Sequence, residues 1–158
     1  MPVIEIETKI KASIEVCFDL ATSIDLHIVS TDGTNEKAID GITSGCVKQN
    51  DFVTWEATHF GIRQQLTSFI PLVNRPYHFR DEQKKGVFKY FKHDHYFETV
   101  GEFVIMKDRF EYESPYGLFG KLFNQLVLTK HLTKFLIKRN NVIKDFAESG
   151  RWKEIINH

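Results

Sequence analysis

Between residues 45 and 113 the chain reads as one strand after another, joined by connections too short to let a strand cross a sheet. The predicted strands run over 45–49, 52–60, 62–72, 76–83, 86–99 and 102–113. Asn50-Asp51 is turn chemistry, and Gly61 separates His59-Phe60 from Ile62-Arg63. Pro71 and Pro76 bracket a bend, and Lys85-Gly86 and Val100-Gly101 close two further hairpins. A parallel neighbour needs a crossover of a dozen or more residues, so these connections impose an antiparallel meander.

The flanks supply what such a sheet must cover. Ile4, Ile6, Thr8 and Ile10 alternate with Glu5, Glu7, Lys9 and Lys11, a period of two that predicts a half-buried first strand. Ser13 stands at an N-cap position, Glu15 suits a first helical turn, and Val16, Cys17, Leu20 and Ala21 form a stripe ending near Thr22 or Ser23. A second short helix starts at Ser23 or Asp25 and carries Leu26, Ile28 and Val29. Residues 31–44 are polar and aperiodic and read mostly as loop. After Pro115, Leu118, Leu122, Leu126, Leu132, Leu136 and Ile143 mark one long helix from about 117 to 147, with a slip in phase in the middle. Its apolar stripe needs a partner, and the sheet is the only large one predicted. Lys130, Lys134 and Lys138 form a row on its other face, read as solvated.

The 158 residues suit one domain, 1–158, that buries about 68 to 70 per cent of its unfolded surface and needs no staples. With 21 Lys and Arg against 21 Asp and Glu there is no net field to draw in nucleic acid or anionic lipid. Cys17 and Cys46 lack metal-finger or CxxC spacing and read as reduced and structural. MPVIEIETKIK lacks the apolar core of a signal peptide, and no run approaches a membrane span, so a cytoplasmic protein without membrane insertion, monomeric or a weak homodimer, is expected. The 14 phenylalanines favour a voluminous core or an aromatic-lined cavity.

The order strand, two short helices, meander and long C-terminal helix resembles the helix-grip fold of the START-like superfamily, also called SRPBCC. At residue level VTWEATHFG at 53–61, Arg75-Pro76 followed by Phe79 and Asp81, GVFKYFKHDHYFE at 86–98 and DRFEYESPYG at 108–117 resemble the bacterial ligand-binding subgroup, polyketide cyclase/dehydrase-type proteins among them. The likeness spans about residues 3 to 146 and departs at Asn50, where glycine is expected in the turn. It implies an α+β protein whose curved antiparallel sheet of about seven strands wraps the long C-terminal helix and leaves a cavity between them. The superfamily contains carriers, cyclases and regulators, so it implies no single chemistry.

Strand parity names the candidate site. On 86–99, Phe91, His93, His95 and Phe97 share the inner face, and Lys92, Asp94, Tyr96 and Glu98 the solvent face. On the last strand Met106, Asp108, Phe110 and Tyr112 point inward. On the VTW strand Val53, Trp55, Ala57 and His59 do so. Three readings compete. A His93-x-His95 pair closed by His59 is a metal chelate, although Asp94 and Glu98 face the wrong way and the two strands are not meander neighbours. His95 held by Asp108 as a general base, with Tyr112 donating to a developing enolate, is cyclase, dehydratase or hydrolase chemistry that still lacks a placed nucleophile. The ordinary reading pairs the histidines with Asp108 or Tyr112 because an unpaired buried polar group costs about 1 to 3 kcal/mol. It also suits a binding cavity with a few polar groups. The resulting expectation is a cavity for a small hydrophobic molecule, a lipid, polyketide or aromatic metabolite, walled by Trp55, His59, Phe91, His93, His95, Phe97, Asp108, Phe110 and Tyr112. No cofactor or metal is expected.

Overall fold

The computed structural model describes residues 2–114 and 127–156. Strand β1 (Val3–Ile10) leads into α1 (Ile14–Thr22) and α2 (Ile24–Ser30), then a short 3-10 turn at Asp32–Thr34. Six strands follow: β2 (Lys37–Gly41), β3 (Phe52–His59), β4 (Ile62–Asn74), β5 (His78–Lys85), β6 (Tyr90–Val100) and β7 (Phe103–Glu113). Helix α3 spans Thr129–Ser149 and ends at Gly150, whose φ of 80° is a left-handed helix stop. The sheet order is β1-β7-β6-β5-β4-β3-β2, antiparallel at every pairing. The meander is therefore unbroken from β2 to β7, and α1 and α2 carry the chain from one sheet edge to the other.

Local chemistry accounts for the helices. Ser13 Oγ accepts from the Val16 amide at 3.3 Å, and Ser23 both closes α1 and caps α2, its Oγ accepting from Leu26 N at 3.2 Å. The register shifts between Thr67 and Ser68, where β5 carries the extra residue Lys84, and between Phe69 and Leu72, where the 13-residue β4 carries one. Bulges bend the strand that carries them, which helps curl the sheet toward α3. Pro71, which has no amide to give, lies in the second irregular stretch.

Two sequence readings need correction at the N-terminal half. Residues 37–41 are a strand, not loop: Lys37 pairs Glu56 and Gly41 pairs Val53 at the free edge of β3. Residues 45–49 are not a strand: Cys46 pairs with Ser23 in an isolated bridge outside any ladder, and Gly45 O accepts from Ile24 N. Tertiary pairing decides both, because an edge strand with one covered face carries little apolar alternation to read. Strands β5 and β6 begin at His78 and Tyr90, later than predicted. The first part of the predicted long helix, with Leu118, Leu122 and Leu126, lies outside the described residues. Asn50 has φ 72°, the conformation that makes glycine the expected occupant of that turn.

The interior has three layers. One apolar cluster joins Ile10, Cys17, Phe18, Leu20, Phe97, Met106, Ile143 and Phe146; burial there pushes the Cys17 thiol up to about 12. The other joins Ile4, Phe91, Phe110, Tyr112, Leu132 and Leu136. Between them, on β6, β7 and α3 alike, come buried polar residues: His93 and His95, Asp108, and Arg139 and Asn140. No helix among the described residues is long and apolar enough to cross a membrane.

Candidate functional site

The second cluster borders a cavity of about 460 Å³ between the sheet and α3. Alternation on β3 turns Val53, Trp55, Ala57 and His59 into it, as Leu66, Ser68 and Ile70 of β4 and Phe79 and Asp81 of β5 do on theirs. Phe91, His93 and His95 of β6, Phe110 of β7 and a face of α3 from His131 to Arg139 complete the wall. Its surface is mostly apolar, with polar groups gathered at two poles.

The inner pole is a hydrogen-bonded chain. His93 Nε2 lies 2.7 Å from Asp108 Oδ1, and His95 Nε2 lies 2.7 Å from Asp81 Oδ1. A carboxylate only accepts, so both imidazoles donate through Nε2. Ser68 Oγ donates to Asp81 Oδ2 at 3.3 Å, and Asn140 Nδ2 to Asp108 Oδ2 at 2.6 Å. Arg139 donates to Asn140 Oδ1 and Ala21 O and stands 3.6 Å from Asp108 Oδ1. The two imidazoles lie with centroids 3.7 Å apart, and Phe79 stacks on His95 at 3.9 Å.

Burial raises the carboxyl pKa of Asp108, but the bond from His93 and the close approach and charge of His95 override that and hold it well below the ordinary range. The same contest leaves Asp81 lowered, through His95 and the charges of His93, His95 and Arg139. Burial, with the neighbouring His95 charge, lowers His93. Burial also opposes charge on His95, yet its contacts with Asp108 and Asp81 carry it above the usual value. The cluster thus sets two carboxylates against Arg139 and against His95, whose protonated form they favour.

The outer pole follows a different rule. His59 Nδ1 and His131 Nε2 share a hydrogen bond of 2.8 Å, and both are lowered, His59 by burial and His131 by burial and by His59. His27, against Trp55 at 4.4 Å, donates to Glu36 at 3.2 Å. Glu36 stays lowered because His27 outweighs its burial. Phe60 and Gly61 both take positive φ in the β3–β4 hairpin, and Phe60 lies tilted against His131 at 4.4 Å.

Of the nine wall residues expected from parity, Trp55, His59, Phe91, His93, His95 and Phe110 line the cavity. Phe97, Asp108 and Tyr112 do not. Phe97 packs on Phe18 in the first cluster, Asp108 sits behind the two histidines, and the Tyr112 hydroxyl bonds Thr129 Oγ1. Asp108 bonds His93 rather than His95: His95 Nδ1 lies 3.3 Å from Asp108 Oδ1 without hydrogen-bond geometry. His59 pairs with His131 and takes no part in the His93–His95 cluster. Asp94 is not at solvent but 2% exposed, because Arg80 and His78 fold over it at 2.7 and 2.8 Å. Sequence reasoning gave no site role to Asp81, Arg139, His27, Glu36 or His131. Asp81 is two residues beyond Phe79 on an alternating strand, and Arg139 interrupts the stripe between Leu136 and Ile143, so both left a signal.

No family model and no curated protein matches the chain. Solved structures do. The protein TTHA0849 from Thermus thermophilus is 16% identical with a TM-score of 0.71, over 90% of this chain and 97% of that one. Ginseng major latex-like protein 151 from Panax ginseng is 16% identical with a TM-score of 0.68, over 92% and 97%. Norcoclaurine synthase from Thalictrum flavum is 17% identical with a TM-score of 0.67, over 92% and 85%.

Proposed function

From the premise that this chain has the START-like helix-grip fold, as those three structures do, we propose that it binds one small, mostly apolar molecule, a lipid, polyketide or aromatic metabolite, between the sheet and α3. The cavity carries this reading. Its volume of about 460 Å³ is within the span of ligand sites, about 300 to 1,000 Å³. Its wall is mostly apolar, so an apolar molecule seated there would gain about 25 cal/mol for each Å² of apolar surface it removes from water. The two poles give an amphipathic occupant an orientation.

The enzymatic alternative, a cyclase, dehydratase or hydrolase using His95, Asp108 and Tyr112, has less support. The fold itself does not forbid it, since one neighbour is a synthase. Tyr112 and Asp108, however, do not line the cavity, which leaves the set without its acid.

Trp55 lines the cavity, whereas Trp152 packs on the first cluster, so a Trp152→Phe variant makes Trp55 the sole indole reporter. Titrating that variant with anilinonaphthalene sulfonate should change Trp55 emission saturably at one equivalent. Ala57→Phe, which fills the wall, should abolish the change. Native mass spectrometry of tag-free protein should show a co-purified mass of a few hundred daltons. Probe binding that ignores Ala57→Phe, with no co-purified mass, would sink the reading.

A further inference from the structure

Asp81 and His93 face each other as ladder partners on β5 and β6, and His95 follows two residues on. Each offers one ligand atom, and the three atoms lie within 4.8 Å of one another. We propose that Asp81, His93 and His95 form a binding site for a divalent first-row transition metal ion of the zinc, cobalt or iron(II) kind, with its remaining positions open to the cavity. Two imidazole nitrogens and one carboxylate oxygen suit those ions rather than magnesium or calcium, which prefer an all-oxygen shell.

The hydrogen bonds behind the trio are what separate it from a merely satisfied polar patch. His93 gives its Nε2 proton to Asp108, so its Nδ1 presents a lone pair, and that lone pair stands 3.7 Å from the Asp81 carboxylate. Two electron-rich atoms face each other there with no proton between them, a gap that a cation relieves. On His95, Nδ1 is buried and has no hydrogen-bond partner among the described residues, with Asp108 Oδ1 3.3 Å away. Once Nε2 coordinates a metal, Nδ1 must carry the ring proton, and Asp108 is in place to accept it after a small rotation. One carboxylate would then orient both ligand imidazoles, and Asn140, at 2.6 Å, fixes that carboxylate in turn. Outer-sphere carboxylates of this kind set tautomer and affinity in histidine metal sites.

A proton competes for the place. In the metal-free protein the His95 Nε2 proton bridges to Asp81, so coordination displaces it to Nδ1, and binding weakens as pH falls because protons compete for the ligand atoms. The charged and titratable groups facing the trio are Asp108 from β7 and Arg139 from α3. The guanidinium works against a cation and the carboxylate for it.

The test uses tag-free, chelator-stripped protein titrated calorimetrically with Zn²⁺ and Co²⁺ at about pH 7.5 and about pH 6. One equivalent should bind, more weakly at the lower pH, with visible absorption from bound cobalt. Asp81→Asn and His95→Phe should each weaken binding by more than about 100-fold and Asp108→Asn by about 10- to 100-fold. His59→Phe, at the other pole, should leave it unchanged. Asp81 is partly open to the cavity, so its variant remains informative if His95→Phe does not fold. Absence of binding, or affinity that follows His59 instead, overturns the inference. Protein that takes the naphthalene probe but no metal keeps the binding cavity and loses only this site; the reverse result does the opposite.

Discussion

At one end of the grip, Phe97, Met106, Ile143 and Phe146 close on Phe18 and Leu20 of α1, and the space is solid. At the other, Phe91, Phe110, Leu132 and Leu136 come from the same three elements and border a cavity of about 460 Å³. Residue types and burial are alike: Phe91 and Phe97, six apart on β6, are each 4% exposed. What differs is α1. Its side chains plug one end, and no described element does the same at the other. Burial along a strand therefore marks the inner face without saying whether that face meets protein or a void.

Truncating those two phenylalanines is the strongest way to break the comparison. Phe97→Ala forfeits the transfer energy of the ring and also opens a new hole, so it should cost about 3 to 5 kcal/mol in urea unfolding. Phe91→Ala enlarges a space that already exists, and the transfer part alone, about 1.5 to 3 kcal/mol, should remain. The second variant should also change probe affinity, and the first should not. Equal costs would mean that both ends are equally filled.

The polar layer between the two ends offers a sharper cut. Asp108 and His93 are in direct contact, both nearly fully buried, and removing either strands the other. Asp108→Asn and His93→Phe should each destabilise, and the double variant should cost less than their sum by about 0.5 to 3 kcal/mol. Asp108 with His95 should give a smaller coupling, since that contact lacks hydrogen-bond geometry. A reversed ranking would reassign the bond.

Much of this was legible because strand alternation is strict. Phe91, His93, His95, Met106, Asp108 and Phe110 all face inward as parity requires, and the meander followed from connection lengths. The failures came where a third element intervenes. Asp94 points outward by parity, yet His78, stacked on Tyr96, and Arg80 cover it. Residues 37–41 become a strand only because β3 has a free edge. Tyr112 faces inward but lies under Thr129 at the start of α3, a packing detail that a period of two cannot carry. Asp81 and Arg139 were readable as polar breaks in apolar patterns, but only spatial convergence makes them parts of one cluster.

The smallest effect separates His95 from the two histidines of the outer pole by the sign of their linkage to pH. His95 has its pKa raised, its contacts with Asp108 and Asp81 outweighing burial. A raised imidazole stabilises the fold fully below its unfolded value of about 6.5, and that contribution is lost as pH rises through the folded value. His59 and His131 are lowered by burial, His131 further by His59. Each refuses a proton that the unfolded chain accepts, so stability falls as pH drops below about 6.5. No single group contributes a slope above about 1.4 kcal/mol per pH unit. Urea midpoints between about pH 8 and about pH 5 should therefore fall less steeply on the acid side in a His59→Phe, His131→Phe double variant than in the parent, and more steeply in His95→Phe. If His95→Phe flattened the acid side instead, His95 would be neutral in the folded protein. His95 would then obey the same desolvation rule as His93, His59 and His131, and no imidazolium would bridge to Asp81.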